Sequence, residues 1–168
     1  GFYLHDLFRF EPELHSMMSQ SIELGRAFII KSYQQKPMPL FLLWKGIVHT
    51  TLRFPEHKYL IGGVSISNQF SNFSKSLMIE FMKSHYYDPY LAQYIQPKKE
   101  FKVKLKDGDK DFVFDATKAD LNKFDKIIDE IEPGALRLPV LLKKYIKQNA
   151  RLIAFNVDPL FNNAVDGL

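Results

Sequence analysis

Apolar and polar positions follow more than one period along this chain. Leu40, Leu43, Trp44, Ile47 and Val48 recur at helical spacing within Leu40–Leu52, and Pro55 closes that segment. Further helices are predicted from a Ser71 or Asn72 cap to about His85, over Asp120–Ile131 up to a Pro133-Gly134 break, and over Leu138–Asn149. A shorter helix start is predicted at Glu11-Pro12-Glu13, since proline is tolerated in a first turn. Extended segments are predicted at 22–30, at Tyr59–Ile66 around Gly62-Gly63, and at Arg151–Val157. Over 97–118, Lys98, Lys99, Lys102, Lys104, Lys106 and Lys110 interleave with Phe101, Val103 and Leu105. Asp107-Gly108 is a turn signal there, so this reads as an exposed basic hairpin with Phe112, Val113 and Phe114 on the return strand. The opposing reading is a solvated insertion whose lysines keep an edge strand soluble. Strands alternating with helices give an α/β class. The 168 residues suit one domain, without internal repeats or low-complexity tracts.

The segment 22–30 breaks its own apolar pattern. Glu23 and Arg26 lie within Ile22-Glu23-Leu24-Gly25-Arg26-Ala27-Phe28-Ile29-Ile30. Ionised groups are costly to bury unless paired, hydrogen-bonded or used. On a regular strand this spacing points them to opposite faces, and a bulge at Gly25 would change that. The segment reads either as a site rim or as a strand-end ion pair.

Composition narrows the choice of chemistry. Hydrophobic residues make up 46% and charged residues 25%, which is globular rather than disordered composition. The 15 Phe and 8 Tyr favour a well-packed core or an apolar ligand groove. Cysteine is absent, which excludes disulfides, thiolate metal sites and a cysteine nucleophile. Net charge is +4 and the pI about 9.1, which suits an acidic partner but is too weak to argue for nucleic acid. No apolar run approaches the roughly 18 residues of a spanning helix. The opening Gly1-Phe2-Tyr3-Leu4-His5-Asp6 lacks the basic start and apolar middle of a signal peptide. Both ends carry core-type or motif-like residues, so the chain is expected to be a piece of a longer protein.

Familiar cofactor motifs are missing: there is no Walker loop, Gly-x-Gly-x-x-Gly, His-Glu-x-x-His or Gly-x-Ser-x-Gly elbow. His5, His15, His49, His57 and His85 share no metal-site spacing, so no metal is expected. Gly63-Val64-Ser65-Ile66-Ser67-Asn68 reads as a strand followed by a cap, with a ligand role for its hydroxyls as the competing reading. Lys31-Ser32-Tyr33-Gln34-Gln35-Lys36 leads from a strand into a helix, where backbone N–H groups and lysines suit phosphate.

Taken in order, Glu23-Leu24-Gly25-Arg26, Tyr33-Gln34, Leu43-Trp44-Lys45-Gly46-Ile47 and Tyr59-Leu60-Ile61-Gly62-Gly63-Val64-Ser65-Ile66-Ser67 resemble the hemolysin-like acyltransferases. That family includes bacterial enzymes that N-acylate ornithine or glycine to make aminolipids. The opening Gly1-Phe2-Tyr3 with Phe8 and the closing Asn156-Val157-Asp158-Pro159 to Leu168 are similar to its flanking segments. The family belongs to the GNAT superfamily and is similar to the acyl-homoserine-lactone synthases.

The resemblance implies a GNAT-like mixed sheet with flanking helices, lacking the N-terminal strands that precede Glu23 in a GNAT domain. It implies transfer of a fatty acyl group from acyl carrier protein or acyl-CoA to an amino acid amine, without a metal. Glu23 is then the candidate for orienting or deprotonating the amine, and Arg26 for holding Glu23 or the acceptor carboxylate. A bulged strand through Phe28 and Ile30 is the candidate for polarising the thioester carbonyl. Lys31, Ser32, Tyr33 and Gln34 are the candidates for donor phosphate. The implied partners are acyl carrier protein and the inner-leaflet surface, approached from the cytoplasm, with no nucleic acid. A non-catalytic lipid- or carrier-binding module is the alternative.

Overall fold

The computed structural model describes residues 2–111, 119–133 and 137–168. It is a mixed α/β arrangement of small sheets and helices. The chain opens with a short helix, α1 (Leu4–Leu7), which runs into β1 (Phe8–Phe10). β1 pairs antiparallel with β5 (Ile95–Pro97), matching Phe10 with Ile95. A 3-10 turn at Pro12–Leu14 leads into α2 (His15–Ser19). Leu4, Leu7, Phe8, Leu14 and Met18 bury their side chains together with Ile95, Ile153 and Leu168.

β2 (Ser21–Glu23) lies parallel to β3 (Tyr59–Ile61), and the crossover between them carries α3 (Pro37–Arg53). Parallel neighbours need such a crossover. α3 has a full helical ladder but no buried residue, and Met38, Phe41, Leu42, Val48 and Leu52 are exposed. Beyond Gly62-Gly63 the chain enters β4 (Val64–Ile66), the edge of a three-stranded antiparallel sheet ordered β4-β7-β6, with β6 at Phe155–Asp158 and β7 at Ala164–Gly167.

α4 (Asn72–His85) is the central helix, and it buries Leu77, Met78, Ile79, Phe81 and Met82. Ser71 caps it by accepting from Ser74 N at 3.1 Å, and Glu132 Oε1 accepts from Ser71 N and Ser74 Oγ. A short helix, α5 (Pro89–Ala92), follows it and is capped by Asp88. α6 (Leu121–Ile131) stacks Phe124 on Phe81 at 4.0 Å between ring centroids. α7 (Val140–Lys147) is tied to α6 by Asp125, which accepts from Leu138 N and pairs with Lys143.

The periodic helices lie close to their predicted positions, whereas the strands are shorter than predicted. Extended pairing at 22–30 stops at Glu23, and residues 24–30 follow no ladder. Within that stretch Arg26 has a left-handed φ of 52°, which departs from the extended backbone of a strand. Tyr59–Ile66 is cut into β3 and β4 at Gly62-Gly63. The expected basic hairpin is not a strand-turn-strand over its described part. Asp107-Gly108 begins a helical turn, and Asp109 Oδ2 accepts from Lys106 N at 3.0 Å. The alternation before it is real: Phe101, Val103 and Leu105 pack on the core while Lys102, Lys104 and Lys106 are exposed. Phe112, Val113 and Phe114 lie outside the described residues.

Candidate functional site

The β2-β3 ladder ends at Glu23 and Ile61, and the site lies at that end. Leu24 N still donates to Ile61 O at 2.7 Å. A Cβ on Gly62 would sit 2.8 Å from Leu24 O, so the close approach there requires glycine. Beyond this point the two segments share no ladder hydrogen bond. An apolar cleft of about 370 Å³ lies beside them, lined by Leu24, Trp44, Leu60, Gly62, Leu142 and Tyr145 among others. Trp44 of α3 meets Tyr145 of α7 edge-on, with centroids 5.8 Å apart. A cleft of this size and lining suits an apolar chain.

Glu23 closes β2 and holds α1. Its Oε2 accepts from Tyr3 N at 2.9 Å and its Oε1 from Leu4 N at 3.2 Å. Both carboxylate oxygens thus satisfy donors in the first turn of a helix, where negative charge is also favoured. Glu23 makes no ion pair with Arg26, so the expected strand-end pair does not form. Arg26, Ala27 and Phe28 are exposed. The N–H groups from Gly25 to Ile30 find no acceptor among the described residues. They form a run of backbone donors that follows directly on Leu24, which lines the cleft.

Lys31, Ser32 and Tyr33 form a 3-10 turn, after which Gln34 donates from Nε2 to Ile29 O at 2.9 Å. Lys36 Nζ lies 5.0 Å from the centre of the Tyr33 ring. These residues precede α3 rather than opening it. Pro37 and Pro39 occupy the first turn of α3 and bring no N–H there, which weakens it as an anion site. Phe28 and Ile30 are 76% and 56% exposed, so they are presented outward and not packed.

The sequence reading missed a second group of residues. The Tyr3 hydroxyl donates to Asp158 Oδ2 at 2.9 Å. Asp158 Oδ1 accepts from Leu160 N and Phe161 N, which locks the turn after β6. The hydrogen bond to Asp158, burial and the nearby carboxylates raise the Tyr3 hydroxyl pKa to about 12. Asp166 is buried in β7, where Ser65 and Asn156 are its cross-strand partners. Burial raises its pKa, opposed by a short hydrogen bond from Ser65 Oγ and helped by the charge of Asp158. Tyr3 therefore bridges the carboxylate closing β2 and the carboxylate closing β6. The reasoning that singled out Glu23 applies equally to Asp166, an acid in the apolar run Ala164-Val165-Asp166-Gly167.

Comparison with known proteins bears on this part of the chain. Residues 1–44 match the family model described as an acetyltransferase (GNAT) domain. The match takes in α1, β1, β2, the donor run and the start of α3. A stretch of 77 residues is 30% identical to a glycine N(alpha)-acyltransferase of Bacteroides thetaiotaomicron, covering 42% of this chain and 23% of that protein. The chain thus spans less than a quarter of the length of that relative. No solved structure matches. The matches support the GNAT superfamily and N-acyltransferase chemistry in general. Among the described residues, no group of His, Asp or Glu is arranged to hold a metal ion, and no helix is long and apolar enough to cross a membrane.

Proposed function

We propose that this chain is the donor-binding part of an N-acyltransferase that moves a fatty acyl group from acyl carrier protein or acyl-CoA to an amino acid amine in aminolipid synthesis. The observation carrying this reading is the apolar cleft at the end of the β2-β3 ladder, within and beside the stretch matched by the GNAT family. There Leu24 lines an apolar cleft and is followed in the chain by unpaired backbone donors. The resemblance of the ordered motifs to the hemolysin-like acyltransferases supports the choice of a fatty acyl donor and an amino acid acceptor.

In the proposed reaction the neutral amine attacks the thioester carbonyl carbon. The C–S bond breaks, the amide forms, and the proton lost by nitrogen goes with the departing thiolate. Backbone N–H groups from Gly25 onward face no internal acceptor and are placed to receive charge from a carbonyl or phosphate oxygen. Lys31 and Lys36 add positive charge near that run. Trp44, Leu60 and Leu142 offer apolar wall to the acyl chain. Glu23 has both oxygens occupied by α1, so it acts here as a positioning residue rather than as the base. The exposed lysines Lys102, Lys104 and Lys106 suit docking of acidic carrier protein or an anionic bilayer.

The test is lipid mass spectrometry after expression of the complete gene in a host without aminolipids. A new acyl-amino-acid species is expected. Absence of any such species, with the protein folded and present, favours the non-catalytic binding module.

A further inference from the structure

A second cleft, of about 570 Å³, lies between α1, β1, α2 and the segment carrying His57. Its polar lining is of one kind. Arg9, His5, His15 and His57 contribute the ionisable groups, Ser19 and Ser21 the hydroxyls, and no carboxylate lines it.

The individual partners explain why these groups face a cavity. Arg9 sits in the middle of β1, exposed between buried Phe8 and half-buried Phe10. Among the described residues its guanidinium makes no hydrogen bond and no ion pair. Glu11, the nearest acid along the chain, instead accepts from Gln96 at 3.1 Å. His5 is fixed by aromatic contacts, with Phe2 and Phe10 ring centroids at 5.8 and 5.4 Å. His57 stands edge-on to Phe54. Its Nδ1 is shielded from water without a hydrogen bond, with Glu56 Oε1 at 3.5 Å. Phe2, Phe8, Phe10 and Met18 line the remaining wall.

We infer that this cleft binds a small organic anion, carrying a carboxylate or phosphate group joined to an apolar body. An unpaired guanidinium is a fork for such a group, engaging its oxygens bidentately. Imidazole N–H groups add further donors, and the cleft volume lies in the range of small-molecule sites. The aromatic floor beside the cationic end fits the apolar part. The inference does not depend on the acyl-transfer reading, because it concerns a different cavity and needs no turnover.

The experiment is calorimetric titration of the chain with hexanoate, hexyl phosphate and neutral hexanol. Either anion is expected to bind at least tenfold more tightly than hexanol, and the tighter anion identifies the headgroup. Arg9→Gln is expected to weaken the anion at least tenfold while leaving the circular-dichroism melting curve unchanged. Arg9→Lys keeps the charge but loses the fork, so it falls between the two. Anions that bind no better than hexanol, or an Arg9→Gln variant within twofold of the parent, overturn the inference.

Discussion

The hydroxyl of Tyr3 donates to Asp158 Oδ2 across 155 residues of sequence. The backbone N–H of Tyr3 simultaneously donates to Glu23. A single residue near the start of the chain thereby joins the end of β2 to the turn after β6.

Tyr3→Phe isolates the first of these contacts. The loss is expected to be about 1 kcal/mol, the scale of one hydrogen bond, because Tyr3 is half exposed. The raised pKa gives a pH signature. Folding holds the phenolic proton to about 12 against an ordinary 10.0. The contribution is therefore complete below pH 10.0 and is lost as pH rises toward about 12. Urea midpoints measured across that window should fall for the parent and fall less for Tyr3→Phe.

Glu23→Gln and Arg26→Ala separate structure from chemistry. Glu23→Gln keeps a carbonyl acceptor but loses the charge at α1, so a stability cost of about 1 kcal/mol is expected. Arg26→Ala keeps a Cβ at the same left-handed backbone position and removes an exposed side chain, so stability should hold within about 0.5 kcal/mol. If the proposed function holds, both are expected to lower acyl transfer by the complete protein. Full activity from both folded variants would remove them from the site.

Gly62→Ala tests the close approach of Leu24 and Gly62 at the end of the β2-β3 ladder. Its new Cβ would lie 2.8 Å from a backbone oxygen, which has no flexible end to swing aside. A loss of about 1–3 kcal/mol is expected, read from the urea midpoint.

Asp166→Asn tests the buried carboxyl. Its folded pKa lies above the ordinary 3.8, chiefly through burial. The folded state thus holds this proton more tightly, and the contribution is present below pH 3.8 and lost as pH rises through the raised value. The variant lacks this loss while keeping an acceptor for Ser65. Its stability relative to the parent should improve as pH rises from 3.8 toward neutrality. Parallel curves for the two proteins would contradict the assignment.

The helices were legible because their signals are local. Ser71, one of the two offered caps, caps α4, the helix expected over Asp120–Ile131 forms at Leu121–Ile131, and the apolar spacing in Leu40–Leu52 falls within α3. The strands were less legible because their limits depend on distant partners. Glu23 closes β2 and holds α1, and no feature of the run 22–30 names Tyr3 and Leu4 as its partners. β7 was missed because Asp166 and Gly167 interrupt its apolar pattern, although Asp166 is satisfied by Ser65 across the sheet. The candidate site was legible only on its β2 side. Asp158 enters through a contact 155 residues long, beyond the reach of any local period.

α3 has a further consequence for how the fold holds together. Its 17 residues rest on their own hydrogen-bond ladder, with no side chain sealed from solvent. Most helical stability in proteins comes from packing of an apolar face rather than from the ladder alone. Its amides should exchange with deuterium well before those of α4, marking it as the chain's least protected long helix and a separate unit of local opening. Anything that settles on its exposed Phe41 and Leu42 would then slow that exchange, so α3 carries a built-in reporter of its own occupancy.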